Sequence, residues 1–221
     1  MSPVSVKVGG VWKDAPSVYT KVSGAWKTAA DMPVKVGGVW KTGILSSGAF
    51  EPIATATLST TTSTINFTSI ASTYQHLQVR FIARDASAGT ADASITFRLG
   101  NGSADSAPNY AYHYLQGTGT VTGVADAATQ PSILLPAAIT EGGVTADIFA
   151  AGIIDIHDYA STSKYKTVRS FHGNDRNGSG RIILSSGLWQ STSAVDYVRI
   201  TKTGTGFAAG STFALYGIKG A

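Results

Sequence analysis

The chain has 221 residues, 43% hydrophobic and 14% charged, with 25 Gly, 50 Ser and Thr together, two Glu and no Cys. That length holds one full core plus a small appendage, or two modest domains; ordinary hydrophobicity excludes disorder, and the lack of Cys excludes disulfides, zinc–thiolate sites and thiol nucleophiles. The net charge of +4 resides in residues 1–43, which hold six Lys against two Asp, while the rest of the chain is balanced. Helix formers such as Glu and Met are scarce and Thr, Val, Ile, Tyr, Gly and Ser are plentiful, so the chain reads as nearly all-β. No apolar run is long enough to span a bilayer, and MSPVSVKVGG lacks the pattern of a secretory leader, so no membrane insertion is expected.

The first segment repeats itself. VKVGGVWK at 6–13, TKVSGAWK at 20–27 and VKVGGVWK at 34–41 recur every 14 residues. A Gly-Gly or Ser-Gly pair between two short β-favouring runs signals a two-residue hairpin turn. The expected register sets Val8 opposite Val11, Lys7 opposite Trp12 and Val6 opposite Lys13. Lys7 and Trp12 then share one face, as do Lys21 and Trp26, and Lys35 and Trp40, with each ammonium able to lie over an indole. This face has two readings. Three cationic aromatic rungs could hold a sugar or a nucleic-acid strand; more simply, each Trp packs on the next hairpin and each Lys keeps an edge hydrated, the reading we prefer. A single hairpin of this size is marginal in water, so self-association is expected. Residues 1–43 are read as three β-hairpin repeats forming a stalk or docking segment, and 44–49 as a linker.

From residue 50 to 221 about eleven short strands alternate with Gly, Ser, Asn and Asp turns. The expected strands are Pro52–Leu58, Thr64–Phe67, His76–Ala83, Ala93–Leu99, Ala111–Leu115, Ser132–Leu135, Asp147–Ile156, Thr167–Phe171, Arg181–Ser185, Asp196–Thr201 and Ser211–Ile218. Leu77, Val79 and Phe81 alternate with Gln78 and Arg80, the pattern of an antiparallel strand with one buried face. Phe213 and Leu215 are expected inward, tying the C-terminus into a sheet. Ala-rich Thr122–Thr129 is read as one helical turn at most. The expectation is an antiparallel β-sandwich, jelly-roll-like.

Residues 48–58, GAFEPIATATL, with Phe67-Thr-Ser-Ile70, Thr73-Tyr-Gln-His-Leu77 and the closing Gly210-Ser-Thr-Phe-Ala-Leu-Tyr-Gly-Ile218, resemble tailed-bacteriophage virion proteins of the minor tail and tail-fibre kind. The VKVGGVWK repeat is similar to repeats in phage tail and baseplate-associated chains. The resemblance implies a homotrimer with a β-rich, adhesin-like head, made in the bacterial cytoplasm and incorporated in the virion. Its partners would be other virion proteins of tail, baseplate or capsid and a host surface glycan.

Catalytic groupings are sparse. Asp155 and His157 would share a strand face, but two ligand types without a second cluster read better as a polar strand end. The segment His172–Gly180 reads as a nine-residue polar loop without the repeated carboxylates of a calcium loop, and Asn174 and Asp175 are candidate glycan contacts. Gly117-Thr-Gly119-Thr-Val-Thr-Gly123 lacks the helix that a dinucleotide fingerprint needs. No Gly-x-Ser-x-Gly elbow occurs, and the carboxylates do not form a pair across a sugar. Tyr110, Tyr112 and Tyr114 project to one side of a strand, either as a stacking platform for a glycan or as an ordinary amphipathic stripe; Trp189 is either a core plug or a wall of a cleft. No catalytic residue, metal site or cofactor is assigned. The leading expectation is a non-enzymatic tail-fibre or baseplate-associated adhesin. A capsid decoration or head-fibre protein comes next, then a polysaccharide-degrading tailspike, with nucleic-acid binding last.

Overall fold

The computed structural model describes Val4–Val8, Val11–Ala15, Tyr19–Val22, Ala25–Thr28, Pro33–Val36, Val39–Thr42 and residues 49–220. The chain divides into two compact units, Met1–Ala49 and Phe50–Ala221.

In the first unit the strands are β1 (Val4–Val8), β2 (Val11–Ala15), β3 (Tyr19–Val22), β4 (Ala25–Thr28), β5 (Pro33–Val36) and β6 (Val39–Thr42). They pair antiparallel in sequence order, β1 with β2, β3 with β4 and β5 with β6. The backbone register sets Lys7 opposite Trp12, Lys21 opposite Trp26 and Lys35 opposite Trp40. The residues between paired strands, and the side chains of these six residues, lie outside the described residues.

The second unit contains β7 (Phe50–Thr57), β8 (Thr64–Phe67), β9 (His76–Ala83), β10 (Asp92–Asn101), β11 (Ser103–Ala104), β12 (Tyr110–Gly117) and β13 (Thr122–Gln130). It continues with β14 (Ile133–Thr140), β15 (Ala150–Ile156), β16 (Lys166–Asp175), β17 (Gly180–Trp189), β18 (Tyr197–Thr201) and β19 (Thr212–Ile218). There is no helix among the described residues. Two antiparallel sheets result. The larger has the order β13-β12-β17-β16-β15-β9-β19-β7; in the smaller, β10 pairs with β18, β18 with β8, and β11 and β14 both pair with β10.

Strand alternation explains the core. Leu77, Val79 and Phe81 of β9, Ile154 and Ile156 of β15, and Phe213 and Leu215 of β19 turn one face of the larger sheet inward. They join Ile95, Phe97 and Leu99 of β10, Ile133 and Leu135 of β14, and Val198 and Ile200 of β18 in one buried cluster. Each such side chain contributes roughly 1.5–3 kcal/mol when fully buried. Phe213 and Leu215 are inward as expected, and β19 is held between β9 and β7.

Two local expectations are corrected. Thr122–Thr129 is not a helical turn but most of β13, the edge strand paired to β12. Its side chains are mostly exposed, so no alternation marks it, and the backbone ladder alone recruits it. His172–Gly180 is not a nine-residue loop either: β16 runs to Asp175 and β17 begins at Gly180. Only Arg176–Ser179 turns, with Asn177 at φ 60° and Gly178 at φ 103°. Positive φ at both central residues is the primed turn whose twist suits a hairpin.

Candidate functional site

Directly paired residues of an antiparallel ladder project to the same face. On the outer face of the larger sheet the register lines up Val124, Leu115, Leu184, Phe171 and Ile153 on five adjacent strands. The neighbouring row is Gly117, Ile182, Gly173, Ala151 and Ile82. On the other side of the first row runs a polar one, Asp126, His113, Ser186, Arg169 and Asp155. The apolar rows face outward: Val124 is 82% exposed, Leu115 54%, Phe171 52% and Ile182 55%. A sheet face open to water ordinarily carries polar side chains, so this band is the anomaly of the surface.

The band is not flat. A shallow concavity of about 850 Å³ lies over Gly117, Ala151 and Gly173, bounded by Ile82, Phe171 and Asp175. A second, of about 610 Å³, lies beside Leu115, Val124 and Leu184, with Asp126 and Arg169 at its polar edge.

Most of the buried polar groups are engaged within the fold; His157 Nε2, Asn174 Oδ1, Arg176 Nε and Ser185 Oγ are the buried side-chain atoms without a hydrogen-bond partner among the described residues. Arg84 donates to four carbonyls, those of Gly142, Val144, Thr145 and Ile148, and so clamps the segment between β14 and β15. Asp92 accepts from Arg181 Nε at 2.9 Å and Asn174 Nδ2 at 2.9 Å. Burial pushes the Asp85 carboxyl up, but donors from Ser87, Lys202 and Thr205 outweigh it and hold the group below its ordinary value. The same balance lowers Asp105: burial opposes ionisation, while Trp189, Asn109 and the Ala107 amide favour it. His172 is buried, with Nε2 3.0 Å from the Pro136 carbonyl and Nδ1 3.2 Å from Ser170 Oγ. Nε2 therefore carries the hydrogen and Ser170 donates to Nδ1. Burial lowers the His172 pKa despite the carbonyl contact. This Ser–His pair is buried on the inner face of the larger sheet.

The sequence-derived candidates scatter. Tyr110, Tyr112 and Tyr114 do share a face, but it is the inner one. Tyr110 is fully buried, and its hydroxyl donates to the Leu99 carbonyl at 2.9 Å and accepts from the Leu99 amide at 3.1 Å. Burial raises its pKa far above the ordinary phenol value. Trp189 is 3% exposed, stacks on Tyr110 with ring centroids 6.4 Å apart, and donates Nε1–H to Asp105. Neither Tyr110 nor Trp189 offers a ring to a glycan; together they plug the core. Tyr112 packs against the core cluster and Tyr114 is half-buried. Asn174 is directed to Asp92, and exposed Asp175 accepts from the Asn177 amide. Asn174 and Asp175 do edge the larger concavity, and Tyr114 lines the second, so the sequence reading touches the site at these three residues. The Asp155 carboxylate accepts from Gln78, and the His157 ring meets His76 edge-on at 5.1 Å.

Sequence reasoning missed the outer face. Its signal was present as back-to-back apolar pairs, Ile153-Ile154, Ile182-Ile183 and Tyr114-Leu115, which cannot both point into one core. Among the described residues no group of three or more His, Asp or Glu is placed to hold a metal, and no helix is long and apolar enough to cross a membrane. Comparison of the chain with protein-family models, curated proteins and solved structures returns no match.

Proposed function

We propose that this chain is a non-enzymatic structural protein of a bacteriophage particle, a tail-fibre or baseplate-associated adhesin. The N-terminal repeats dock it and the C-terminal unit makes the outward contacts. The observation that carries this reading is the apolar band on the larger sheet, a surface suited to assembly, set on a scaffold most of whose buried polar side chains are spent on internal hydrogen bonds. Such a surface suits binding. The residues that resemble phage virion proteins supply the particle.

The fold is read as a jelly-roll sandwich. Support comes from strand order: β7-β19-β9-β15 in one sheet and β8-β18-β10-β14 in the other. Numbered along the chain, these eight run 1-8-3-6 and 2-7-4-5, the order that two Greek keys produce. β12 and β13, inserted before β14, and β16 and β17, inserted before β18, extend the first sheet. The three repeats are read as β-hairpins that assemble several copies, three as the resemblance implies, so that weak contacts to a host glycan gain avidity. The polar turn beyond Asn174 and Asp175 is the loop suited to sugar hydroxyls.

An antiserum against the chain, applied to purified particles in the electron microscope, tests the reading. Label at the tail or baseplate is expected. Label on the head favours the capsid decoration alternative, and particles without label overturn the virion assignment. Release of reducing ends from host capsule or lipopolysaccharide would overturn the non-enzymatic assignment.

A further inference from the structure

We infer that the outer face of the larger sheet pairs with the same face of a second copy about a two-fold axis. The inference concerns the C-terminal unit alone and holds whatever the repeats dock onto.

Seven outward apolar side chains of β9, β12, β13, β15, β16 and β17, between 36% and 82% exposed, present on the order of 700 Å² of apolar surface. That is close to the ~800 Å² per partner of a standard stable interface, and more than an ordinary monomer leaves open.

The occupant follows from the pattern. The inward residues Gln116, Ile183, His172, Gly152 and Phe81 form one straight register line across β12, β17, β16, β15 and β9. On the outer surface the two apolar rows flank that line. On one side are Leu115, Phe171 and Ile153; directly across it are Gly117, Gly173 and Ala151. A two-fold axis lying over the line, parallel to the sheet, sets each row against the other row of the second copy. Leu115 then meets the partner's Gly117, Phe171 the partner's Gly173, and Ile153 the partner's Ala151, and each large side chain enters a gap left by a small one. Leu184 meets the partner's Ile182. Farther from the axis, exposed Arg169 faces the partner's exposed Asp175, both being three residues from His172 on β16. Over β12, β17, β16 and β15 the surface is thus complementary to itself in shape, with one matched charge pair, as an isologous contact requires, while at the β9 end Arg80 meets the partner's Ile82. Two such sheets pack face to face about 10 Å apart with strands aligned to within roughly 30°.

One glycine separates this reading from an accident of the fold. A Cβ on Gly173 would stand 2.4 Å from the Arg181 carbonyl oxygen, so the chain itself demands glycine there. A Cβ on Gly117 would meet only Ile182 Cγ2, at 3.9 Å. Nothing among the described residues excludes a side chain at Gly117; the partner's Leu115 does.

Light scattering on the full-length chain at micromolar concentration tests the pairing with two variants, Phe171→Asp and Gly117→Arg. Whatever copy number the repeats set, each variant is expected to halve the measured mass while keeping cooperative unfolding. Gly117→Arg decides the matter if Phe171→Asp fails to fold, because its site has room. A mass unchanged by Gly117→Arg, including the case in which the unmodified chain is already a monomer, overturns the pairing. A fall to one third would mean that this face closes a three-fold ring and overturns the two-fold geometry.

Discussion

Trp189 shows how a residue's type and its place divide the work of explanation. A Trp flanked by Leu188 and Gln190 at the end of a strand suits a glycan cleft or a core equally well. What decides is Asp105, whose carboxylate takes the indole hydrogen at 2.8 Å, and Tyr110, stacked beneath. Replacing Trp189 by Ala should therefore cost about 3–5 kcal/mol of unfolding free energy, read from a chemical denaturation curve. A sugar-binding Trp on the surface would leave that curve nearly unmoved. Neither partner could be foretold, since Asp105 lies 84 residues away in sequence. His172 gives the second residue-scale prediction. Its ordinary pKa is 6.5 and burial lowers it in the fold. Below that value the unfolded chain takes up a proton that the folded chain resists, so stability is complete above about pH 6.5 and falls as pH drops toward the folded value. Denaturation midpoints from about pH 7 to about pH 5 should fall more for the native chain than for His172→Gln. Asp85 and Asp105, whose values are lowered, withdraw their contributions only below the ordinary carboxylate value of 3.8, so the two effects separate on the pH axis.

At the scale of elements, legibility followed what each strand buries. β9 and β19 were readable because their alternation reports a core on one side only. β13 was not, because an edge strand with both faces largely open answers to its backbone partner and carries no pattern. The β16–β17 hairpin was legible in principle: Asn177-Gly178 is the strongest short signal for a primed turn, but the surrounding Asn, Asp and Gly made it look like a longer loop. Arg84 belongs to this scale, since it orders a whole connection rather than a contact. With four carbonyls arranged about one planar guanidinium, Lys cannot replace it. Arg84→Lys should destabilise the chain by about 2 kcal/mol or more, leaving buried carbonyls without donors. Hydrogen exchange should show the loss first in the amides of residues 142–149, before the strands loosen. Equal loss of protection across β9, β15 and β19 would instead mean that Arg84 serves the core at large.

The whole molecule carries one surplus. A two-sheet core needs one apolar face per sheet, and the strands of the larger sheet carry two. The four strands of the larger sheet outside the eight read as a jelly roll, β12, β13, β16 and β17, widen it and supply most of the outward apolar side chains, including Leu115, Val124, Phe171 and Leu184. An extension that exposes such a band is maintained by something that covers it, and the face matches itself row against row. The chain has no cysteine, so introduced thiols report without background. Leu115→Cys and Gly117→Cys, prepared separately, mixed and mildly oxidised, give the most direct measurement. The two-fold pairing predicts a disulfide-linked dimer in the mixture and little in either variant alone, because each position faces the other's row. A mixture that stays uncross-linked, or single variants that link as readily as the mixture, would contradict it.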